Sequence, residues 1–185
     1  QRVVTVSPDV SSSTNLGGWV NKVGVWSVTE RRNWFADDAE TILHWRESPA
    51  GQHIELGIAE TNLVGLIGEL GTTWSRWGEP LFPIGVVYDP FVGRALEPGR
   101  TASTRAASRS SSARLRGQPR PRGRGASVDH HAVHRDGAAG CVAYEPAFAI
   151  DTEWVLLAGL ARLGRPDGSS VYLRLSTRPV DQTLA

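Results

Sequence analysis

Residues 53–71 read HIELGIAETNLVGLIGELG, and the hydrophobic period changes in the middle of that string. From His53 to Ile58 the pattern alternates weakly and is apolar enough for a buried strand, whereas Leu63, Leu66, Ile67 and Leu70 recur at helical spacing. Gly71 fits the end of that helix, because glycine adopts the left-handed conformation that closes many helices. Next comes FPIGVVY, Phe82 to Tyr88, a near-continuous apolar run of strand length, the kind covered on both faces in a parallel sheet.

The same order recurs on either side. Val3 to Val6 is a β-branched run broken by Ser7-Pro8-Asp9 and the polar SSSTNLGGW, which predicts a strand followed by a loop of functional character. Charged and aromatic residues fill positions 31–50, where Asp37, Asp38 and Glu40 precede Ile42, Leu43 and Trp45, a pattern that suits a short helix. A further strand opens at Cys141 (CVAYEP). Asp151 then suits a helix N-cap, Glu153 the first turn, and Trp154 to Leu163 the apolar stripe, with Gly164 and Pro166 to stop it. Val171, Leu173 and Leu175 alternate as a last strand. Repeated strand, helix, strand implies an α/β fold, a mostly parallel, doubly wound sheet with helices on its faces and sites beyond the carboxyl ends of the strands.

With 185 residues, 40% hydrophobic and 21% charged, the chain has the core content of one ordinary domain. It contains no apolar run of membrane-spanning length, and its start lacks the layout of a secretory signal, so a cytoplasmic protein with no membrane partner is expected. A single cysteine, Cys141, cannot form an internal disulfide. Methionine is absent even at position 1, so a fragment is expected. The net charge of +1 hides a division: residues 100–140 hold nine arginines against Asp129 and Asp136, hence +7, and the remainder carries −6. That stretch has no Ile, Phe, Trp, Tyr or Glu and cannot build a core. The expected organisation is an ordered part over 1–99, an aberrant, irregular or disordered segment over 100–140, and a second ordered part over 141–185.

Glu60 stands where a functional carboxylate belongs in such a fold, after a strand and at the opening of a helix. Topology alone leaves a plainer role open, since an acid in the first turn also complements the helix dipole.

IELGIAETNLVGLIGELG, with WSRWGEPLFPIGVVYDPFVGRALEP after it and SPDVSSSTNLGGW before it, resembles the pyrimidine-binding domain of the thiamine-diphosphate-dependent transketolase superfamily. Within it the likeness is nearest to the homodimeric type of pyruvate dehydrogenase decarboxylating component and its transketolase-like bacterial relatives, over 1–98 and again over 141–185. The resemblance implies that Glu60 is catalytic: it hydrogen-bonds a ring nitrogen of the cofactor's aminopyrimidine and stabilises the imino tautomer that removes the thiazolium proton. Burial by Ile58, Ala59, Leu63 and Val64 would raise the carboxyl pKa that this task favours, against the pull of the helix N-terminus. The resemblance also implies that Tyr88 stacks on the aminopyrimidine with Phe91 on the same wall, and that Asp9 lies near the cofactor and Ser13 near the substrate.

Where the family carries a strand and a loop with Glu-Gly-Gly-Ala-His-Gln-Ser, this chain has the arginine-rich segment. Three readings compete: a basic arm that binds nucleic acid, a metal site of Asp129, His130, His131, His134 and Asp136, and translation out of frame. The last is preferred. Arginine outnumbers lysine nineteen to one, as GC-rich codons would give. One choice of codons for 119–140, read from its second base, spells Leu-Ala-Pro-Glu-Gly-Gly-Ala-His-Gln-Ser, the missing loop. Residues 105–117 in the remaining frame give a string like the preceding family strand. The family's substrate-facing histidine is then absent, and His130, His131 and His134 carry no role.

The resemblance further implies a 2-oxo acid substrate such as pyruvate, oxidative decarboxylation with thiamine diphosphate, and a homodimer made through this domain. A lipoyl-bearing acyltransferase would be a partner, and magnesium and the cofactor's diphosphate would bind a domain outside this chain. Pro166-Asp167-Gly168 is a turn rather than a diphosphate motif. Alternatives are transketolase-type ketol transfer and a non-catalytic nucleic-acid-binding protein.

Overall fold

The computed structural model describes residues 2–34, 37–40, 44–92, 94, 113–115, 141–163, 165, 168–176 and 179–184. Its first strand, β1 (Val3–Ser7), is central. It pairs in parallel with β4 (His53–Glu55), Thr5 opposite His53, and with β5 (Phe82–Val86), Val3 opposite Phe82. Short strands β2 (Val25–Trp26) and β3 (Glu47–Ser48) extend the sheet beyond β4, and β6 (Ala113–Leu115) extends it beyond β5. The order is β3-β2-β4-β1-β5-β6 with every pairing parallel. A second parallel pair, β7 (Cys141–Tyr144) and β8 (Ser170–Leu173), lies with β8 beside β6.

Side-chain alternation covers both faces. Val6, Ile54, Leu56 and Val87 meet Leu63 and Ile67 of α2 (Glu60–Gly71). On the opposite face Val86 and Val25 meet Leu16 and Val20 at α1 (Gly17–Val23), while Ile84 and Val3 pack with Val171 and Leu173 and with Val155 of α4 (Ala149–Ala161). A proline in a strand paired on both sides is unusual, and Pro83 is tolerated for a geometric reason. The Phe82 N–H donates to the Arg2 carbonyl on the β1 side, so position 83 faces β6, whose pairing starts only at Ile84.

The observed α/β fold is the expected one, and several boundaries differ. Strand β4 stops at Glu55 because Gly57 takes φ 66°, although the Leu56 N–H still reaches Ser7. Gly71 does not close the helix in a left-handed turn. Thr72 stays right-handed, its hydroxyl donates to the Glu69 carbonyl, and the chain runs on into α3 (Thr73–Trp77), which Gly78 closes at φ 73°. Asp151 is not the N-cap: α4 begins two residues earlier, and the Asp151 carboxylate accepts the Phe148 N–H at 3.3 Å from the third helical position.

No helix occurs among the described residues of 31–50. Backbone groups there bond to the β2 edge instead, Arg46 accepting from Val25, and the Arg31 N–H reaches Glu47. Residues 113–115 of the arginine-rich stretch form β6, a correction to the irregular or disordered segment expected there. The β5 edge must pair its backbone groups whatever side chains its neighbour carries. The rest of that stretch, with Gly164, Pro166 and Asp167, lies outside the described residues.

Gly85 and Gly65 give a paired test of this packing. A Cβ on Gly85 would stand 2.0 Å from the Ile67 Cδ1, whereas one on Gly65, on the exposed side of α2, meets nothing within 4 Å. Gly85→Ala should destabilise the chain by about 1–3 kcal/mol, and Gly65→Ala should stabilise it by roughly 0.5–1 kcal/mol. Urea midpoints measure both, and equal shifts would contradict the packing of α2 on β5.

Candidate functional site

Because β1, β4 and β5 run parallel, their carboxyl ends release three segments at one edge: the loop 8–16, the start of α2, and the turn Asp89–Phe91 with Arg94. Glu60 opens α2 and is 7% exposed, with Leu63 and Val64 buried one turn on. Ile58 does not pack over it as expected. It is 79% exposed, because the left-handed Gly57 turns the chain outward. Arg94 stands over Glu60 at 3.9 Å from its Oε2, and its guanidinium carbon lies 5.2 Å from the Phe91 ring centroid. Arg94 is mostly exposed, so solvent screens this attraction. The Tyr88 ring is tilted 51° to Phe91 with centroids 6.4 Å apart, and its hydroxyl donates to Ser13 Oγ. Glu60, Tyr88, Phe91 and Ser13, far apart in the chain, thus share one edge with Arg94, which the sequence did not single out.

Asp9 joins this edge through its backbone. It sits at φ 63°, and its N–H donates to Glu55 Oε1 at 2.7 Å. The loop beyond it is wound on itself: Thr14 N–H and hydroxyl both reach the Val10 carbonyl, and Leu16 N–H reaches Ser11.

Behind the loop lies a polar chain that the sequence did not announce. His53 is fully buried; its Nδ1 is 2.8 Å from Thr5 Oγ1 and its Nε2 is 3.3 Å from Glu55 Oε2. Trp19 Nε1–H donates to the same Thr5 oxygen at 2.9 Å. Period-2 alternation was the available signal, because positions 53 and 55 share a face and Thr5 is the register partner of His53. Burial pushes the Glu55 carboxyl up, but hydrogen bonds from His53, the Asp9 N–H and Ser11 outweigh it and hold the group below its ordinary value.

A second polar link ties the ends of β5 and β7. Arg174 Nη1 lies 2.8 Å from Glu145 and its Nε 3.7 Å from Asp89, which is buried. The repeated strings Tyr88-Asp89-Pro90 and Tyr144-Glu145-Pro146 were its trace in the sequence. Asp129, His130, His131, His134 and Asp136 lie outside the described residues. Among the described residues no group of three or more His, Cys, Asp or Glu could hold a metal ion, and no helix is long and apolar enough to cross a membrane.

Residues 1–177 match the family model of the pyruvate dehydrogenase E1 component middle domain. The pyruvate dehydrogenase E1 component of Mycobacterium tuberculosis is 27% identical over 191 aligned positions, covering 98% of this chain and 20% of that protein. The E1 component of Mycolicibacterium smegmatis is 26% identical with the same coverage. The chain thus spans about a fifth of the length of these relatives. Two transketolase structures from Pichia stipitis, one with fructose-6-phosphate and one with xylulose-5-phosphate, match with a TM-score of 0.63 at 14% identity, over 98% of this chain and 24% of theirs. That likeness is one of fold.

The depressed Glu55 pKa fixes a sign for the response to acid. Its stabilising contribution is complete above the ordinary carboxyl value of 4.5 that the unfolded chain shows, and is lost as pH falls through the lower folded value. Urea unfolding of the wild-type chain between neutral and acidic pH should show this loss. Glu55→Gln should be less stable at neutral pH and should lose less on acidification, and parallel curves would contradict the assignment.

Proposed function

The chain belongs to the pyruvate dehydrogenase E1 component middle domain family, and on that premise we propose that it supplies the aminopyrimidine half of a thiamine-diphosphate site in a 2-oxo acid decarboxylating enzyme. The observation that carries this reading is a buried carboxylate, Glu60, at the sheet's carboxyl edge with the tilted aromatic pair Tyr88 and Phe91 beside it. That set fits an aminopyrimidine, which offers a hydrogen-bonding edge and a flat face.

Thiamine diphosphate supplies the electron sink for loss of carbon dioxide from a 2-oxo acid. Glu60 would bind a ring nitrogen of the pyrimidine and hold a proton there. Tyr88 would stack on the ring, its tilt fixed by the hydroxyl bond to Ser13. Phe91, with Arg94 over its ring, would close the same wall, and Asp9 and Ser13 would border the reacting end. Magnesium and the diphosphate would be held by a domain outside this chain. Pyruvate is the substrate favoured by the named relatives. Ketol transfer of the transketolase kind has only the fold likeness behind it. A homodimer through this domain and a lipoyl-bearing acyltransferase partner belong to the same proposal, as does a cytoplasmic location.

Thiamine titrated into the chain should shift the Tyr88 ring resonances, and Glu60→Ala should weaken that binding about tenfold or more, the loss of a charge-assisted hydrogen bond. The chain alone should release no carbon dioxide from pyruvate with added cofactor. An unmoved Tyr88 ring would overturn the cofactor reading, and turnover would overturn the view that the diphosphate half lies elsewhere.

A further inference from the structure

Glu55 contacts Asp9, and Ser13, four residues further along the same loop, contacts Tyr88, so one loop spans from the interior of the sheet to the aromatic wall of the site. Glu55 Oε1 accepts the Asp9 N–H at 2.7 Å, and Asp9 sits at φ 63°, a left-handed conformation uncommon outside glycine that aspartate tolerates better than most residues. Four residues on, Ser13 hydrogen-bonds back to the Val10 carbonyl and accepts from the Tyr88 hydroxyl. The turn at Asp9 therefore sets where Ser13 stands, and Ser13 sets the orientation of the Tyr88 ring.

Glu55 is itself held from behind. Trp19 can only donate, and it spends its N–H on Thr5 Oγ1. In the neutral ring the Thr5 hydroxyl can donate to His53 Nδ1, 2.8 Å away, with the ring proton on Nε2, facing Glu55 Oε2 at 3.3 Å. The donors Trp19, Thr5 and His53 run across α1, β1 and β4 and end on the accepting Glu55 carboxylate. One carboxylate oxygen faces His53 and the other takes the Asp9 N–H, so the side chain has little freedom to turn.

We infer that Glu55 is a positioning residue for the site: anchored through His53 and Thr5 to Trp19, it fixes the left-handed turn at Asp9 and thereby places Ser13 and the Tyr88 ring. It touches neither substrate nor cofactor. The inference rests on the proposed function for what Tyr88 does, while the positioning itself is a property of the chain alone.

Nuclear magnetic resonance on the isotope-labelled 185-residue chain tests it, with the methyl groups of Leu63 and Ile67 reporting that the core is intact. Glu55→Ala should speed exchange of the Asp9 amide about tenfold or more, and should shift the Trp19 indole N–H and the Tyr88 ring. Glu55→Gln is the more telling variant. Its carbonyl oxygen can still accept from Asp9, so that amide stays protected, but its NH2 group cannot accept from His53 Nε2. The His53 ring should therefore exchange tautomer, which its nitrogen shifts report, and this holds even if the alanine variant does not fold. Tyr88→Phe should leave the Asp9 amide and the Trp19 indole where they are in the wild type.

An Asp9 amide as slow in folded Glu55→Ala as in the wild type would overturn the inference. So would an unchanged His53 tautomer in Glu55→Gln, or loss of Asp9 protection in Tyr88→Phe. Failure of the cofactor reading looks different: thiamine would leave Tyr88 unmoved in the wild type while the Glu55 variants still released Asp9.

Discussion

Parallel pairing of Val3–Ser7 with His53–Glu55 on one side and Phe82–Val86 on the other is the constraint on which the site depends. Parallel strands cannot be joined by tight turns, so each is followed by a crossover, and all the crossovers leave from the same edge. That geometry alone carries Ser7, Glu55 and Val86 to one end of the sheet and places Asp9, Glu60 and Tyr88 just beyond it. Antiparallel pairing of any of these strands would send its functional residue to the opposite end.

Period-2 alternation then separates two environments on the same strands. In β4, Ile54 faces α2 and the dry cluster of Leu63 and Ile67, while His53 and Glu55 face the side where Thr5 and Trp19 lie. A buried polar row is costly unless every member finds a partner, and here each does. The row ends on a carboxylate at the edge of the site, where it takes the N–H of Asp9 in the left-handed turn of the loop. Arg174 does similar work between β5 and β7, bridging Asp89 and Glu145.

Much of the scaffold was legible from local pattern. Helix α2 begins at Glu60 and ends at Gly71, as the switch from strand to helical period indicated, and the apolar run at Phe82 forms a strand covered on both faces. Errors arose from a non-local partner, from one left-handed residue and from a one-turn ambiguity. The acids and aromatics of 31–50 suggested a helix, yet the described residues there form none, and those at 46–48 pair with the open edge of β2. Ile58 was expected to bury Glu60, but one left-handed residue, Gly57, turned it to solvent. Asp151 was expected at the N-cap and instead reaches back from the third helical position, a one-turn ambiguity that composition does not resolve.

The sequence by itself determined the kind of fold and the place of Glu60, because hydrophobic period and turn residues act over a few positions and need no partner. Only the tertiary structure decided which side chains meet: Tyr88 with Ser13, Arg94 with Glu60, and His53 with Thr5 and Glu55. Those meetings depend on strand order, register and which face of the pleat each residue occupies. Most of them join segments tens of residues apart, and no local pattern encodes such a distance.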